Sequence, residues 1–242
     1  MEKKILKYYS KFREIYNKEN FPEWFAFLKY HNMQFGKKGY NNEEHELGHY
    51  AILQSNIPKN PIIVMVGKNN SWFIPDNMEE SLKVVKSLED NIPDQDWSAR
   101  GSNFANRLNS QINKIRTINP EAADILVNKR VGMNRIWFQT GSNCPHHSLK
   151  EAMKKNYKLE YEWSALKKIC HKWTEDIIRT INPGIVILFG NRSDDDCAWN
   201  LFENREDGEK FLIKHCPHPS GSNNGQNFDK FQEVIEDWKK KI

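Results

Sequence analysis

The sequence predicts an α/β fold of three layers (α/β/α), with a mainly parallel four-stranded sheet in the middle and extra helices at the N-terminus. Two observations lead to this prediction. Two short runs are apolar without interruption and rich in β-branched residues, which is typical of strands buried on both faces of a parallel sheet. Longer segments with apolar residues at helical spacing separate the strands, and such alternation of strands and helices produces parallel sheets.

Four segments are predicted to be the strands. The first, IIVMVG, ends at Gly67, and the third, IVILFG, covers residues 185–190. The second is RIWFQT at 135–140, and the fourth is FLIKHCPHP at 211–219. Ligands of such folds bind beyond the carboxyl ends of the strands, so we expect the loops after these strands to converge on one site.

Helices are expected before, between and after the strands. Residues 1–32 carry apolar residues at helical spacing in two amphipathic segments, with an interruption near Phe21-Pro22. We expect residues 1–58 to form a helical extension packed on a single globular α/β unit over 59–242. The further helices are predicted at about Met78–Leu88, Asn103–Ile118, Glu162–Ile181 and Phe228–Lys240.

Composition narrows the class of protein. The 242 residues suffice for one sizeable domain, and 38% hydrophobic with 12% aromatic residues indicates a folded chain. A formal net charge of +4 favours a polyanionic partner. No apolar run approaches the roughly 20 residues that span a bilayer, and the start, MEKKILKYYSKF, lacks the apolar core of a signal peptide. We therefore expect a cytoplasmic protein that does not bind membranes.

The cysteines are predicted to be reduced thiols. Cys144, Cys170, Cys197 and Cys216 are far apart and form no C-x-x-C pair, which disfavours a disulfide framework or an iron–sulfur cluster. The segments CPHH and HCPH each combine a thiol with imidazoles. A zinc site built from both is an alternative, although the spacing matches no standard pattern.

Polar segments rich in glycine and asparagine follow three of the strands: GKNNSW at 67–72, GSNCPHH at 141–147 and HPSGSNN at 218–224. This set resembles the uracil-DNA glycosylase superfamily, in which G-x-N-P-G or G-Q-D-P-Y-H follows the first strand and H-P-S-P or N-P-S-G follows the last. HPSGSN is similar to a blend of the single-strand-selective and thymine-mismatch branches, and IVILFGN is similar to the family's penultimate strand. The resemblance covers about residues 61–238.

The resemblance implies a uracil-DNA glycosylase-like fold and a monofunctional DNA glycosylase. Such an enzyme flips a damaged, mismatched or C5-substituted pyrimidine out of DNA, hydrolyses its bond to the sugar and leaves an abasic site. Asn69 would position the attacking water, and His218 would donate a hydrogen bond to the base oxygen that gains charge. The implied base-binding residues are Gly67, Asn70, Ser71, Phe73 or Trp72 as the stacking ring, and Gln139 or Asn143 as the reader of the base edge.

The resemblance also implies DNA as the partner, a monomer without an obligate protein partner, and no metal or organic cofactor. Ser220 and Gly221 would grip a phosphate beside the flipped nucleotide. The polar segment that follows would enter the groove, with Asn224 and Gln226 as alternative wedges. The implied DNA-binding residues are Ser220, Gly221, Ser222, Asn223 and Asn224.

The first motif departs from the family pattern at two positions. Asn70 replaces the proline, and Ser71 replaces the glycine or tyrosine. A tyrosine there shields the pyrimidine C5 edge in the uracil-specific branch, so Ser71 would leave room for a substituent. A modified pyrimidine, such as the hypermodified cytosine of viral genomes, is therefore a predicted substrate. Base-excision repair and defence against modified DNA are both compatible with this prediction.

Each of these residues also has an ordinary structural interpretation. Glycine and asparagine after a strand usually form a turn, a histidine before a proline is normally solvated, and Phe73 or Trp72 suits a core. The functional interpretation is favoured because three such segments stand where an α/β sheet places its active site.

The stretch HELGH matches the H-E-x-x-H pattern of zinc peptidases, in which His45 and His49 bind zinc and Glu46 acts as the base. Its context is unfavourable, because Ile52 and Ser55 occupy the glycine and third-histidine positions of the extended motif. We expect a short helix there. The alternatives to a glycosylase are thus a zinc metallopeptidase and a catalytically inactive nucleic-acid-binding protein of the same fold.

Overall fold

A computed structural model gives the structure of the protein and describes residues 1–27, 52, 53, 55, 57–70, 103–139, 146–190, 198–203, 210–219 and 226–240. The sheet contains the strands β1 (Ile63–Asn70), β2 (Arg130–Gln139), β3 (Ile185–Phe189) and β4 (Leu212–Cys216). They lie in the order β2-β1-β3-β4 and all run parallel. Helices flank the sheet, which confirms the predicted three-layer α/β/α fold with N-terminal helices.

The two central strands are buried along almost their whole described length. Residues 63–67 of β1 and all five residues of β3 are buried. Because successive side chains of a strand point to opposite faces, such burial requires cover on both faces of the sheet. The uninterrupted apolar runs in the sequence follow from this double cover.

Six helices are described over their full length: α1 (Glu2–Ile15), α2 (Asn103–Ile118), α3 (Pro120–Asn128), α4 (His146–Lys155), α5 (Tyr157–Ile181) and α6 (Gln226–Lys239). Residues 22–27 are helical as well, so the predicted break between two N-terminal helices is confirmed. A 3-10 turn covers Ala198–Asn200. Within the described residues, no helix has the length and apolar character needed to cross a bilayer.

Several element bounds differ from the prediction. Strand β2 begins at Arg130, five residues before Arg135, its predicted start. The prediction left out the first five residues because Arg130 and Asn134 are polar, yet both are buried. Strand β1 continues through Asn69 and Asn70, which were expected in a loop. Helix α5 starts at Tyr157, before the predicted Glu162. The predicted helices at 78–88 and at HELGH lie outside the described residues.

Helices α3 and α4 were not predicted, although α3 has a clear start signal. The Asn119 side chain accepts a hydrogen bond from the backbone N–H of Ala122 at 3.0 Å, and Pro120 occupies the first helical position. Both are preferred at these positions, because the cap satisfies a free N–H and proline has none to satisfy.

The chain divides into two compact units. We call the unit that contains most of the sheet the sheet unit, and the other, whose core consists of aromatic rings, the aromatic unit. The prediction of a helical extension over 1–58 and one unit over 59–242 stays a prediction. The sheet unit comprises Ile52–Lys68, Ile92–Arg135 and Thr174–Ile242, and the aromatic unit comprises Met1–Ala51, Asn69–Asn91 and Ile136–Trp173.

The core of the sheet unit is mainly aliphatic. Alternate residues of β1 and β3 share a buried cluster with residues of α2, α3 and α6. The Phe189 and Phe231 rings meet edge to face, with centroids 6.1 Å apart. Members of this cluster include Ile63, Met65, Leu108, Ile112, Leu126, Ile185, Ile187, Phe189, Phe231 and Ile235.

Gly184, directly before β3, lies against helix α6. A Cβ atom at this position would come within 2.1 Å of Trp238 Nε1. Real Cβ atoms do not approach other atoms so closely, so the indole packs against a backbone that has no side chain. The contact joins the start of a central strand to the last helix.

The core of the aromatic unit consists of rings with hydrogen-bonded polar ends. Phe12 is fully buried, with its ring centroid 5.1 Å from that of Trp137. The Trp24 Nε1–H donates to the Tyr16 hydroxyl at 3.0 Å. Burial raises the pKa of Tyr16 well above its ordinary value, so this hydroxyl stays protonated. The position of the rings is thus fixed by contact and by hydrogen bonding.

A buried carboxylate supports the start of the 22–27 helical segment. Glu162 of α5 accepts hydrogen bonds from the backbone N–H of Trp24 at 2.8 Å and of Glu23 at 3.3 Å. The first N–H groups of a helix have no partner within it, and a negative charge there is stabilising. Asn156 caps α5 itself by accepting from the backbone N–H of Lys158 and of Leu159, each at 3.1 Å.

Candidate active site

The candidate residues stand toward the carboxyl ends of β1 and β4, with Asn69 in the aromatic unit and His218 in the sheet unit. Val66 pairs with Leu188, and Leu188 pairs with His215, so these residues form one row across β1, β3 and β4. Two strand spacings separate the outer members of the row, roughly 10 Å. Asn69 and His218 each stand three residues beyond this row along the chain.

The first-motif residues lie at the end of β1. Gly67 is buried, and Asn69 and Asn70 are the last two residues of the strand. Gln139 is the last residue of β2. Four of the predicted site residues therefore belong to strands, and three of them, Asn69, Asn70 and Gln139, lie at strand ends.

His218 lies two residues beyond β4 and directly before a turn at Pro219. It is half-buried, whereas Pro219 is buried and His215 is exposed. The His215 ring contacts Trp199, with centroids 5.1 Å apart. The histidine selected from the sequence is thus partly shielded from solvent and stands where the sheet ends.

The backbone that leads to His218 is held from outside its own strand. The Cys216 carbonyl accepts hydrogen bonds from the Gly190 N–H at 3.0 Å and from Trp199 Nε1 at 3.3 Å. The preceding carbonyl, that of His215, accepts from Lys230 Nζ at 3.3 Å. Strand β3, the 3-10 turn and helix α6 all take part in holding this segment.

Asn227 completes this set of contacts. Its side chain is fully buried in the first turn of α6, and its Nδ2 donates to the Pro217 carbonyl at 2.9 Å. Three successive carbonyls before His218 therefore each accept a hydrogen bond from a different donor group. A backbone fixed in this way costs little to order when a ligand binds, which is the requirement for a preorganised hydrogen-bond donor.

The Cys216 thiol is unsuited to be a nucleophile or a metal ligand near neutral pH. Burial raises the pKa of Cys216 to about 12, although Lys230 and Lys214 act in the opposite direction. The thiolate is the reactive and metal-binding form. Cys170 and Cys216 are buried free thiols, which confirms the prediction for these two. Among the described residues, no group of three or more His, Cys, Asp and Glu could hold a metal ion.

The remaining predicted site residues lie outside the part of the chain that the structure describes. They are Ser71, Trp72 and Phe73 of the first motif, Asn143 of the second and residues 220–224 of the last. The zinc-peptidase residues His45, Glu46 and His49 lie outside it too. All of these assignments stay predictions.

Sequence reasoning missed the residues that hold the segment before His218. Trp199, Lys230 and Asn227 act through contacts over 10 to 17 positions of the chain. No local pattern marks them. Asn227 stands in the helix start QNFDKF, where an asparagine is usually exposed.

Comparison with models of protein families gave no match, and comparison with curated proteins gave none either. The resemblance to the uracil-DNA glycosylase superfamily therefore rests on the sequence motifs alone and stays a prediction.

Proposed function

We propose that the protein is a monofunctional DNA glycosylase that removes a pyrimidine base by hydrolysis. The proposal rests mainly on the register of the strands. Val66 of β1 and His215 of β4 lie in one row across the sheet, and Asn69 and His218 each follow that row by three residues along the chain. A base-excision site needs a group that positions water and a group that stabilises the departing base. An amide and an imidazole beyond one row of the sheet are suitable candidates for these two tasks.

His218 is proposed to stabilise the departing base. Cleavage of the glycosidic bond leaves negative charge on a base oxygen and positive character on the sugar. A fixed N–H donor that faces this oxygen stabilises the transition state more than the ground state. The three carbonyl contacts before His218 support this role, because they hold the backbone that carries the imidazole.

Asn69 is proposed to orient the water that attacks the sugar. Its amide can accept a hydrogen bond from this water and donate one to a neighbouring group. An uncharged amide is a weak base, so most of its effect would come from position rather than from proton removal. In the proposed mechanism water attacks the sugar directly, so no Schiff base is needed. Lys68 is the one lysine of the first motif.

The proposed substrate class is a mismatched or C5-substituted pyrimidine in DNA. Ser71 stands where a bulkier residue would shield the C5 edge, and this absence of bulk is the reason for the choice. Removal of hypermodified cytosine from invading DNA would make the protein defensive, and removal of a damaged base would make it a repair enzyme.

The proposal is tested by incubating the protein with matched oligonucleotides that contain uracil, mismatched thymine or a 5-substituted cytosine. Alkali cleaves abasic sites, so nicked product reports base release, and mass spectrometry identifies the base. We expect nicking of a C5-substituted substrate. His218→Ala should slow it by about 100-fold or more, the usual loss for a transition-state donor.

Asn69→Ala should slow base release by a similar factor, whereas the matched controls His171→Ala and Asn128→Ala should retain the rate of the unaltered protein. Strict preference for plain uracil would refute the substrate class. Normal activity of both site variants would refute the site. Oligonucleotide binding without release of any base would identify the inactive binding protein, and stoichiometric zinc lost on His45→Ala would favour the peptidase.

A further inference from the structure

The first half of helix α5 carries an exposed face that is both aromatic and basic. We call it the α5 face and define it by Tyr157, Tyr161, Ser164, Lys168 and Lys172. At 3.6 residues per turn these five positions fall within a sector of about 80°. They therefore point to one side of the helix.

The two tyrosines of the α5 face are unusually exposed. Tyr157 is 83% exposed and Tyr161 72% exposed, whereas Tyr9 and Tyr16 of the same unit are buried. They are the only large aromatic residues in the described part of the chain that are so exposed. One helical turn separates them, about 6 Å along the axis, so one extended ligand can contact both rings.

The segment around this face carries strong positive charge. Residues 150–172 contain seven lysines and three glutamates, and one of these glutamates, Glu162, is buried beneath backbone N–H groups. Lys158, Lys168 and Lys172 are exposed. The net charge of this segment is therefore +4, which favours a polyanionic ligand at this face.

We propose that the α5 face binds single-stranded DNA, with bases stacked on Tyr157 and Tyr161 and phosphates beside Lys158, Lys168 and Lys172. Aromatic rings bordered by positive charge are the common device for holding single strands, because every base has a face that can stack. Paired bases of a duplex are not available for stacking on a side chain, so the two rings favour a single strand.

A membrane fits this face less well. Helices that lie in a membrane surface bury a continuous apolar side of aliphatic and aromatic residues. The α5 face has only the two tyrosines, and Ser164, Lys168 and Lys172 continue it as a polar surface. The choice of DNA over RNA rests on the proposed function, whereas the stacking and charge arguments do not.

The test measures the binding of a fluorescent deoxyadenosine 20-mer by fluorescence anisotropy at several salt concentrations. This strand contains no pyrimidine, so binding is measured apart from the proposed excision reaction. We expect Tyr157→Ala and Tyr161→Ala each to weaken binding about fivefold or more. Tyr157→Phe and Tyr161→Phe keep the ring and should change binding less than about twofold.

The lysines are tested through the salt dependence. Replacement of Lys158, Lys168 and Lys172 by alanine should lower the slope of log K against log salt by about 2, because each phosphate contact contributes about 0.7. Lys59→Ala and Lys114→Ala, at exposed positions of the sheet unit, are the matched controls and should leave the slope unchanged.

Four outcomes would overturn the proposal: no binding of the 20-mer, alanine variants that bind as well as the unaltered protein, tighter binding of the annealed duplex, or tighter binding of the RNA 20-mer. If the protein binds phosphatidylserine vesicles only when both tyrosines are present and binds no oligonucleotide, the face is a membrane surface instead. If the unaltered protein binds the 20-mer but releases no base, only the proposed function is refuted. If it releases a base but does not bind the 20-mer, only the proposal for the α5 face is refuted.

Discussion

The two compact units place their buried polar groups differently. In the sheet unit the core is aliphatic, and the buried amide of Asn227 lies at the carboxyl edge, where it holds the segment before His218. In the aromatic unit the polar groups lie within the core, at Tyr16, Trp24 and Glu162. Burial of apolar area stabilises both, and in the aromatic unit the hydrogen bond from Trp24 to Tyr16 also fixes the position of the core rings.

This difference predicts that the two cores tolerate substitution unequally, which is the largest effect that we expect. Phe231→Leu should lower the free energy of unfolding by about 1 kcal/mol, since the aliphatic core can repack around a similar volume. Trp24→Leu should cost about 3–4 kcal/mol, because it leaves a cavity and removes the donor to the buried Tyr16 hydroxyl.

Urea denaturation followed by circular dichroism measures both changes. Equal losses for the two variants would contradict the expected difference between the two cores. Trp24→Phe serves as an intermediate, because it keeps an aromatic ring but is smaller than the indole and lacks its N–H group.

A second prediction concerns pH and the sheet unit. Burial raises the pKa of Cys216 from 9.0 to about 12, so the unfolded chain loses this proton at a lower pH than the folded one. The stability linked to the thiol is complete below pH 9 and is lost as pH rises toward 12. Between pH 9 and pH 11 we expect a loss of about 1.4 kcal/mol per pH unit.

Cys216→Ala should remove this part of the pH dependence, and denaturation midpoints at pH 8, 9, 10 and 11 would show it. The pKa of Tyr16 is raised as well, so its contribution has the same sign at higher pH. Identical slopes for Cys216→Ala and the unaltered protein would place the alkaline loss in the aromatic unit.

The third and smallest effect on stability is expected at the carboxyl edge. Asn227→Leu keeps the branching and the number of heavy atoms of the side chain but removes the donor to the Pro217 carbonyl, which should cost about 1–2 kcal/mol. If the hydrogen bond positions His218, the same variant should lower the rate of base release about tenfold, mainly through kcat.

A double-mutant cycle separates this role from a structural one. In the His218→Ala background, Asn227→Leu should leave the residual rate unchanged, because a residue that acts through His218 has nothing left to position. If Asn227→Leu lowers the rate of base release by the same factor in both backgrounds, the positioning role is contradicted. The contribution of Asn227 to stability would not be affected by that result.

Much of the fold was predictable because double cover of β1 and β3 produces continuous apolar runs. Strand β2 was too short in the prediction because Arg130 and Asn134 are buried, whereas a hydropathy pattern assigns polar residues to the surface. The pattern has no access to tertiary partners such as Ser55, whose hydroxyl accepts a hydrogen bond from the Gly132 N–H at 2.7 Å.

The candidate site was predictable only in part. Motifs and the rule for parallel strands selected Asn69 and His218 as candidates, since both depend on local order along the chain. The donors that hold the carbonyls of residues 215–217 belong to other elements, and their role appears only once α6 and the 3-10 turn are in place.

The close approach of Trp238 to Gly184 limits how this protein can vary. Any side chain at 184 would collide with the indole, so a change there is tolerated only together with a smaller residue at 238. Glycine and tryptophan should therefore be kept or exchanged as a pair. In a library that randomises both positions, survivors with a larger residue at 184 should carry a reduced one at 238.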